Sequence, residues 1–244
     1  MTRLWLAIQF LTRLPTPATP DFRPELLVES ARWFPLVGLI IGALLTTLAW
    51  PACRLDPWLA AWLALLLWVW VTGGLHLDGL ADLADGLGAA HRDRERLLAV
   101  MRDPHLGSFG VLSLILQCGG KLVLLMLLAR AQAWWALLLV PAWARLGVLY
   151  WQSLPALSTG MAEAFTWQLP RRARLAWLLA LLATSAWFAP ALLLAPLCIW
   201  AYRHWLQHTL GGVSGDCLGA GVEVCELALL LLCSISLLLP PWLI

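Results

Sequence analysis

Six apolar stretches restrict this chain more than anything else in it: residues 34–50, 58–72, 109–128, 134–151, 173–202 and 219–239. A helix that crosses a bilayer needs roughly 20 mostly apolar residues. The runs are continuous rather than alternating, which predicts helices, not barrel strands. As one helix, 173–202 would be about 45 Å long against a hydrocarbon core of about 30 Å. Pro190 near its middle predicts a hairpin of two spans. The expectation is an all-α, polytopic membrane bundle with about seven transmembrane helices, forming a single integral membrane domain over 1–244. Composition agrees: 61% of the 244 residues are hydrophobic and 12% are charged, with a mean hydropathy of +0.81. No internal repeat and no separate soluble domain is visible.

Charge placement gives an orientation. Of the sixteen Lys and Arg residues, twelve fall in segments 1–33, 74–108, 152–174 and 203–218. The opposite turns hold only Arg54 and Arg130, and Lys121 and Arg145 lie inside spans. The positive-inside rule puts the twelve in the cytoplasm. Trp33, Trp50, Trp58, Trp134, Trp151 and Trp205 fall near span ends, as interfacial aromatics do. Residues 1–13 have an apolar stretch too short to span and no small-residue cleavage site, so an interfacial helix is expected there rather than a signal peptide. A Pro-rich surface segment follows. The six cysteines contain no CxxC pair. Most sit in apolar runs, where a thiol acts as a small hydrophobe, so neither disulfides nor zinc are expected.

Residues 73–88 read GGLHLDGLADLADGLG. Asp78, Asp82 and Asp85 are spaced i, i+4, i+7, within an arc of roughly 60° on a helix. At about 6 Å each like-charged pair costs roughly 3 kcal/mol at an effective dielectric near 20. A divalent cation, a basic partner or a shifted pKa must offset that. Acids on one helix face are ordinarily a solvated face. In a chain this poor in charge, directly after an apolar span, they read instead as a metal-binding edge on a cytoplasmic-edge acidic helix.

Two further polar, glycine-bearing motifs fall on the same predicted side: MRDPHLGSFG (101–110) and LGGVSGDCLG (210–219), with Glu223 and Glu226 beyond. Gly211, Gly212 and Gly215 precede the last span and can present backbone N–H groups to phosphate. Asp216 is either a helix cap or a second acid of the site. Lys121 and Arg145 within spans cost roughly 2.5–3.5 kcal/mol each at mid-bilayer on insertion scales. They either snorkel, or face inward to Glu223, Glu226 or substrate phosphate. His76, His105, His204 and His208 read as hydrogen-bonding groups at the membrane edge, with His76 close enough to the acids to count as a substrate contact. Metal-dependent phosphoryl transfer suits the set, with an aspartate accepting the proton of an incoming hydroxyl.

GGLHLDGLADLADG, MRDPHLGSFG and TLGGVSGDCLGAGVEVCEL, with FLTRLPTP at 10–17, resemble the cobalamin synthase (adenosylcobinamide-GDP ribazoletransferase) family over essentially the whole chain and in the same order. The resemblance implies a polytopic inner-membrane enzyme of the late, nucleotide-loop step of cobalamin synthesis. It implies a requirement for Mg2+ and, as substrates, adenosylcobinamide-GDP and α-ribazole or its 5′-phosphate. The 3′-hydroxyl would attack the phosphorus attached to the cobinamide, and GMP would leave. Asp78, Asp82 and Asp85 match the acidic motif and are assigned to metal, with the general base open among them. Arg102, Asp103, Lys121, Arg145, Asp216, Glu223 and Glu226 also sit at family-like positions. Gln207 and His208 depart from the basic residues expected there.

Two other readings compete. One is a nucleotidyl-alcohol phosphotransferase of phospholipid synthesis, although Asp78-Gly79 is followed by Leu80-Ala81-Asp82 and so misses the D-G-x-x-A-R pattern of the CDP-alcohol enzymes. The other is a cation transporter, which would carry acids deep in several spans, whereas these cluster at one edge. The expected partners are the two substrates and the lipid bilayer, with no nucleic acid. A homo-oligomer, or docking of other nucleotide-loop assembly enzymes, stays open.

Overall fold

The computed structural model describes residues 2–17, 24–90, 93–157 and 170–238. Parts of the expected Pro-rich segment, the charged 91–102 stretch, the 152–172 loop and the end of the last span lie outside the described residues. All the regular elements among the described residues are helices. They are α1 (Thr2–Leu11), α2 (Pro24–Ser30), α3 (Phe34–Ala52), α4 (Pro57–Thr72), α5 (Leu75–Ala90), α6 (Arg94–Val100), α7 (Ser108–Arg130), α8 (Trp134–Trp151), α9 (Arg171–Phe188), α10 (Ala195–Thr209) and α11 (Gly215–Leu238).

Every predicted span is a helix, and the predicted 134–151 coincides with α8. The 173–202 run breaks at Pro190, where a 3-10 turn, Pro190–Leu194, joins α9 to α10. By length and composition, however, only Val28–Ala52, α7 and α11 suffice to cross a membrane, or four segments if α4 and α5 are joined across their 86° bend. The seven expected are thus not confirmed, and the helices outside this count differ from the three in length or in setting. Helices α4 and α10 are 16 and 15 residues long, about 24 and 23 Å at 1.5 Å per residue. Helix α8 is rich in tryptophan and lies inside the bundle, with Pro141 to Leu149 continuously buried. A helix apolar on all sides belongs in such a core.

The centre is the antiparallel pair α3–α8. A Cβ on Gly38 would stand 2.4 Å from the Pro141 carbonyl oxygen, and one on Gly42 would stand 2.2 Å from that of Leu138. Small residues let backbones approach this closely, which is how helices associate where no water drives them together. Trp143 Nε1 donates to Ser185 Oγ on α9, and Trp151 Nε1 donates to the Ile199 carbonyl on α10. Around this core, large apolar side chains face outward: Trp58, Trp62 and Leu66 on α4, Leu112, Ile115 and Leu116 on α7, and Leu197 and Trp200 on α10. An apolar belt of that extent marks a lipid-facing surface.

Alternating chain direction puts the turns into two groups. The start of α3, the end of α4, the start of α7, the end of α8 and the 209–215 turn share one end of the bundle. Their proximity is fixed by Tyr202 donating to the Cys217 carbonyl and by the Asp85 bonds to Gly107 and Gly110. The 53–56, 131–133 and 189–194 connections share the other end, where Trp135 stacks on Phe188. The three polar motifs therefore meet on one side, as expected.

Candidate active site

Helix α4 stops at Gly73 (φ 65°), a left-handed C-cap whose N–H returns to Trp70, and Gly74 (φ 74°) continues the turn. Only glycine adopts these angles cheaply. Arg13 holds the corner, its backbone N–H donating to the Val71 carbonyl at 2.7 Å and its guanidinium to the Gly73 carbonyl at 3.4 Å. From here α5 runs nearly perpendicular to α4 and packs antiparallel along the start of α11. A Cβ on Gly79 would stand 2.8 Å from the Asp216 carbonyl oxygen, and one on Gly219 would stand 3.3 Å from the His76 Cα.

The three aspartates of α5 differ in environment. Asp78 is exposed, Asp82 half-buried and Asp85 buried. Asp85 accepts the backbone N–H groups of Gly107 at 2.7 Å and Gly110 at 2.8 Å. It thereby satisfies donors that a helix start leaves orphaned, and it places negative charge at the positive end of α7. A Cβ at either glycine would come within 2.4 Å of that carboxylate. Asp85 is thus a structural anchor as well as a member of the row.

Asp216, at the start of α11 with its backbone against Gly79, joins the row beside Asp78 and Asp82. Ser214, not Asp216, caps α11: its Oγ accepts from the Cys217 N–H and its carbonyl from the Leu218 N–H. Asp216 is the second acid. Burial pushes the Asp82 carboxyl up to about 6, and the nearby charges of Asp78, Asp216 and Asp85 push it the same way. Among the described residues no Lys or Arg forms an ion pair with Asp78, Asp82 or Asp216.

This donor set fits a hard divalent cation. Its atoms are carboxylate oxygens, they repel one another, and no basic side chain neutralises them. No three His, Cys, Asp or Glu side chains among the described residues are already closed to the spacing that would hold a metal. Mg2+ sites commonly use one or two carboxylates, with waters and substrate phosphate completing the shell.

Beneath α5 lies a buried charge network. Lys121 donates to Glu223 Oε2 at 2.7 Å and to Glu226, and Arg145 donates to Glu226 Oε1 at 2.7 Å. Gln117 Nε2 donates to Glu223 Oε2 at 2.8 Å, and Lys121 Nζ stands 4.4 Å from the Trp68 ring centre. All four ionic side chains are 4% exposed or less. Lys121 and Arg145 thus neither snorkel nor reach the acid row, and their partners are the two glutamates. His76 is buried above this network, and burial, then the charges of Arg145 and Lys121, push its imidazole well below the usual histidine range.

The remaining predicted residues lie around the rim. Arg102 and Asp103 are exposed, and Asp103 Oδ1 accepts the His105 backbone N–H at 3.0 Å, which holds its carboxyl below the usual range. Gly211 has φ 71° and Gly215 borders open space. Gly212 packs under the Pro155 carbonyl, beside an isolated parallel bridge between Ala156 and Val213 in which the Leu157 N–H donates to the Val213 carbonyl and the Val213 N–H to that of Pro155. Two contributors escaped the sequence reading. Arg13 holds the corner, although FLTRLPTP contained it. Ser214 supplies the cap, a role that S-x-D two residues into a helix start could have suggested.

Fold and site together define a polytopic membrane protein with a carboxylate-lined ledge at one end of its helical bundle. The chain belongs to the cobalamin-5-phosphate synthase family, which matches residues 3–234. It is 59% identical to the adenosylcobinamide-GDP ribazoletransferase of Laribacter hongkongensis, covering 98% of this chain and 99% of that one. It is 50% identical to the proteins of the same name from Thiobacillus denitrificans (98% and 97% covered) and Novosphingobium aromaticivorans (95% and 95% covered). No solved structure matches it.

Proposed function

We propose that this chain transfers the phospho-cobinamide part of adenosylcobinamide-GDP to the 3′-hydroxyl of α-ribazole or its 5′-phosphate. The products are adenosylcobalamin, or its phosphate, and GMP. The observation that carries the reading is the meeting of Asp78 and Asp82 with Asp216 at one end of the bundle, in a chain whose relatives bear the ribazoletransferase name.

In bond terms, the acceptor's 3′ oxygen forms a bond to the phosphorus attached to the cobinamide. The bridge from that phosphorus to GMP breaks, and GMP carries the electron pair away. Asp82 takes the hydroxyl proton, because a carboxyl near 6 accepts a proton at neutral pH more readily than an ordinary one. Asp78 and Asp216 would hold Mg2+, leaving Asp82 beside them for the proton. When bound, the ion offsets charge on the diphosphate and on departing GMP. Asp85 fixes the row to the start of α7, and Arg13 fixes the corner that lifts it. The excess of Lys and Arg on the same side supports a cytoplasmic site in an inner membrane.

The test supplies purified protein in detergent with adenosylcobinamide-GDP, α-ribazole and Mg2+, and follows GMP. Release that needs both substrates and stops with chelator supports the reading. Absence of GMP with turnover of a CDP-lipid overturns it.

A further inference from the structure

At the end of the bundle that carries the acid row, Arg32, Arg171, Arg172 and Arg174 have no place in the transfer. Arg32 lies in the 3-10 turn Ala31–Trp33 that leads into α3, and the other three fall in the first four residues of α9. No acid stands in that first turn. A helix start is itself positive, so cations there oppose the helix dipole as well as one another. Among the described residues none of the four forms an ion pair.

The fold draws two of them to one place. Trp177 Nε1, one turn beyond Arg174, donates to the Arg32 carbonyl at 2.8 Å. The Arg174 guanidinium lies over the Tyr150 ring at the end of α8, 5.6 Å from its centre. The α3–α8 register, set by Gly38 and Gly42, carries Arg32 to that same last turn of α8. The Nε atoms of Arg32 and Arg174 are both buried without a hydrogen-bond acceptor, and a buried donor on a charged group is costly to leave unmade. Arg171 precedes Arg174 by three residues and shares its side of α9. Arg172 points roughly 160° away from Arg174, on the exposed side with Leu175 and Leu179. Helix α8 keeps this junction apart from the acid row. Its Trp143 reaches Ser185 on α9, and its Arg145, two residues on and so on the opposite face, reaches Glu226 on α11.

We propose that Arg32 and Arg174, with Arg171 at the rim, bind the phosphate of an anionic phospholipid where the bundle meets the headgroups. Guanidinium groups take phosphate oxygens in pairs. Basic pockets between membrane helices favour headgroups of net negative charge, since a zwitterionic lipid brings its own cation. Beyond Arg174, α9 carries no further charge, and its exposed Leu175 and Leu179 offer an apolar surface to acyl chains. Tyr150 and Trp177 supply the aromatic level at which headgroups sit. A soluble phosphate compound would gain nothing from that apolar continuation.

The test uses the full chain, delipidated in an uncharged detergent. It is titrated with phosphatidylglycerol, phosphatidylcholine or inorganic phosphate, and bound lipid is counted by native mass spectrometry. The wild type is expected to bind one phosphatidylglycerol at least about tenfold more tightly than phosphatidylcholine. Arg174→Gln keeps the aliphatic stem and should weaken that binding at least about tenfold, with a further loss on adding Arg32→Gln. Arg172→Gln removes the same charge from the other side of the helix and should change it less than about twofold. Phosphatidylglycerol should also raise the melting temperature of the wild type, and inorganic phosphate should not. Equal affinity for the two lipids, equal losses in Arg174→Gln and Arg172→Gln, or displacement of the lipid by an equal concentration of inorganic phosphate overturns the site. If Arg174→Gln does not fold, the lipid preference and melting shift of the wild type decide.

Discussion

Gly79 touches the backbone of Asp216: a Cβ there would stand 2.8 Å from the Asp216 carbonyl oxygen and 2.9 Å from its Cα. Both distances are to backbone, so the helices must part to admit a side chain. Gly79→Ala should therefore separate α5 from α11 and lower turnover at least about tenfold, since misplacing reacting groups by an ångström is that costly. Gly119→Ala, which meets nothing within 4 Å, should leave rates unchanged. Equal rates for wild type and Gly79→Ala would mean that Asp216 plays no part beside Asp78 and Asp82.

The aspartates of α5 should separate by kind of damage. Asp85→Asn turns an acceptor of two backbone N–H groups into a group carrying its own donors, and should cost about 1–3 kcal/mol of stability. Asp82→Asn removes an acid from the row with no change in core volume, and should abolish GMP release while the thermal transition in detergent does not fall below that of the wild type. Melting curves and initial rates on both variants decide it. The reverse pattern would exchange the roles assigned to the two residues.

Asp82 also predicts a pH dependence. Its carboxyl stands at about 6 in the folded chain against 3.8 ordinarily. The folded state holds this proton more tightly, so stability from this group is full below about pH 4 and is lost as pH rises through about 6. Chelated protein should melt at a higher temperature at pH 4.5 than at pH 7 by this contribution, and Asp82→Asn should flatten the difference. Activity should run the opposite way, falling below about pH 6 as the carboxylate takes up its proton. A Tm difference between these pH values that survives intact in Asp82→Asn would place the titration elsewhere.

The buried network should be intolerant of single changes. Glu226→Gln leaves Lys121 and Arg145 facing one carboxylate between them, and should cost about 3–5 kcal/mol. Replacing Arg145 and Glu226 together by Met and Leu should recover most of that loss, because the charges leave as a pair. Denaturant titration of the two proteins in matched micelles measures it. If the double variant is the less stable of the two, pairing is not what holds these residues.

Much of this arrangement was legible in the chain. Continuous apolar runs gave the helices, because a buried or lipid-facing helix needs no polar stripe, and Pro190 marked the break between α9 and α10. Charge counting put the three polar motifs on one side, where they are. What spacing alone could not reveal was partnership. Asp78, Asp82 and Asp85 look equivalent on a helical wheel. Only the return of the chain at Gly107 and Gly110 distinguishes Asp85, and only the approach of α11 through Gly79 brings in Asp216. The count of seven spans is not confirmed: three or four segments are long and apolar enough to cross a membrane, and α8 is surrounded by protein, which an apolar sequence does not distinguish from lipid.

The corner at Gly73 and Gly74 turns what would have been the continuation of a crossing segment into a shelf. The transfer proposed above asks that shelf to stand where water meets lipid headgroups, so that a bulky polar nucleotide conjugate could arrive and a finished corrinoid leave without either passing through hydrocarbon.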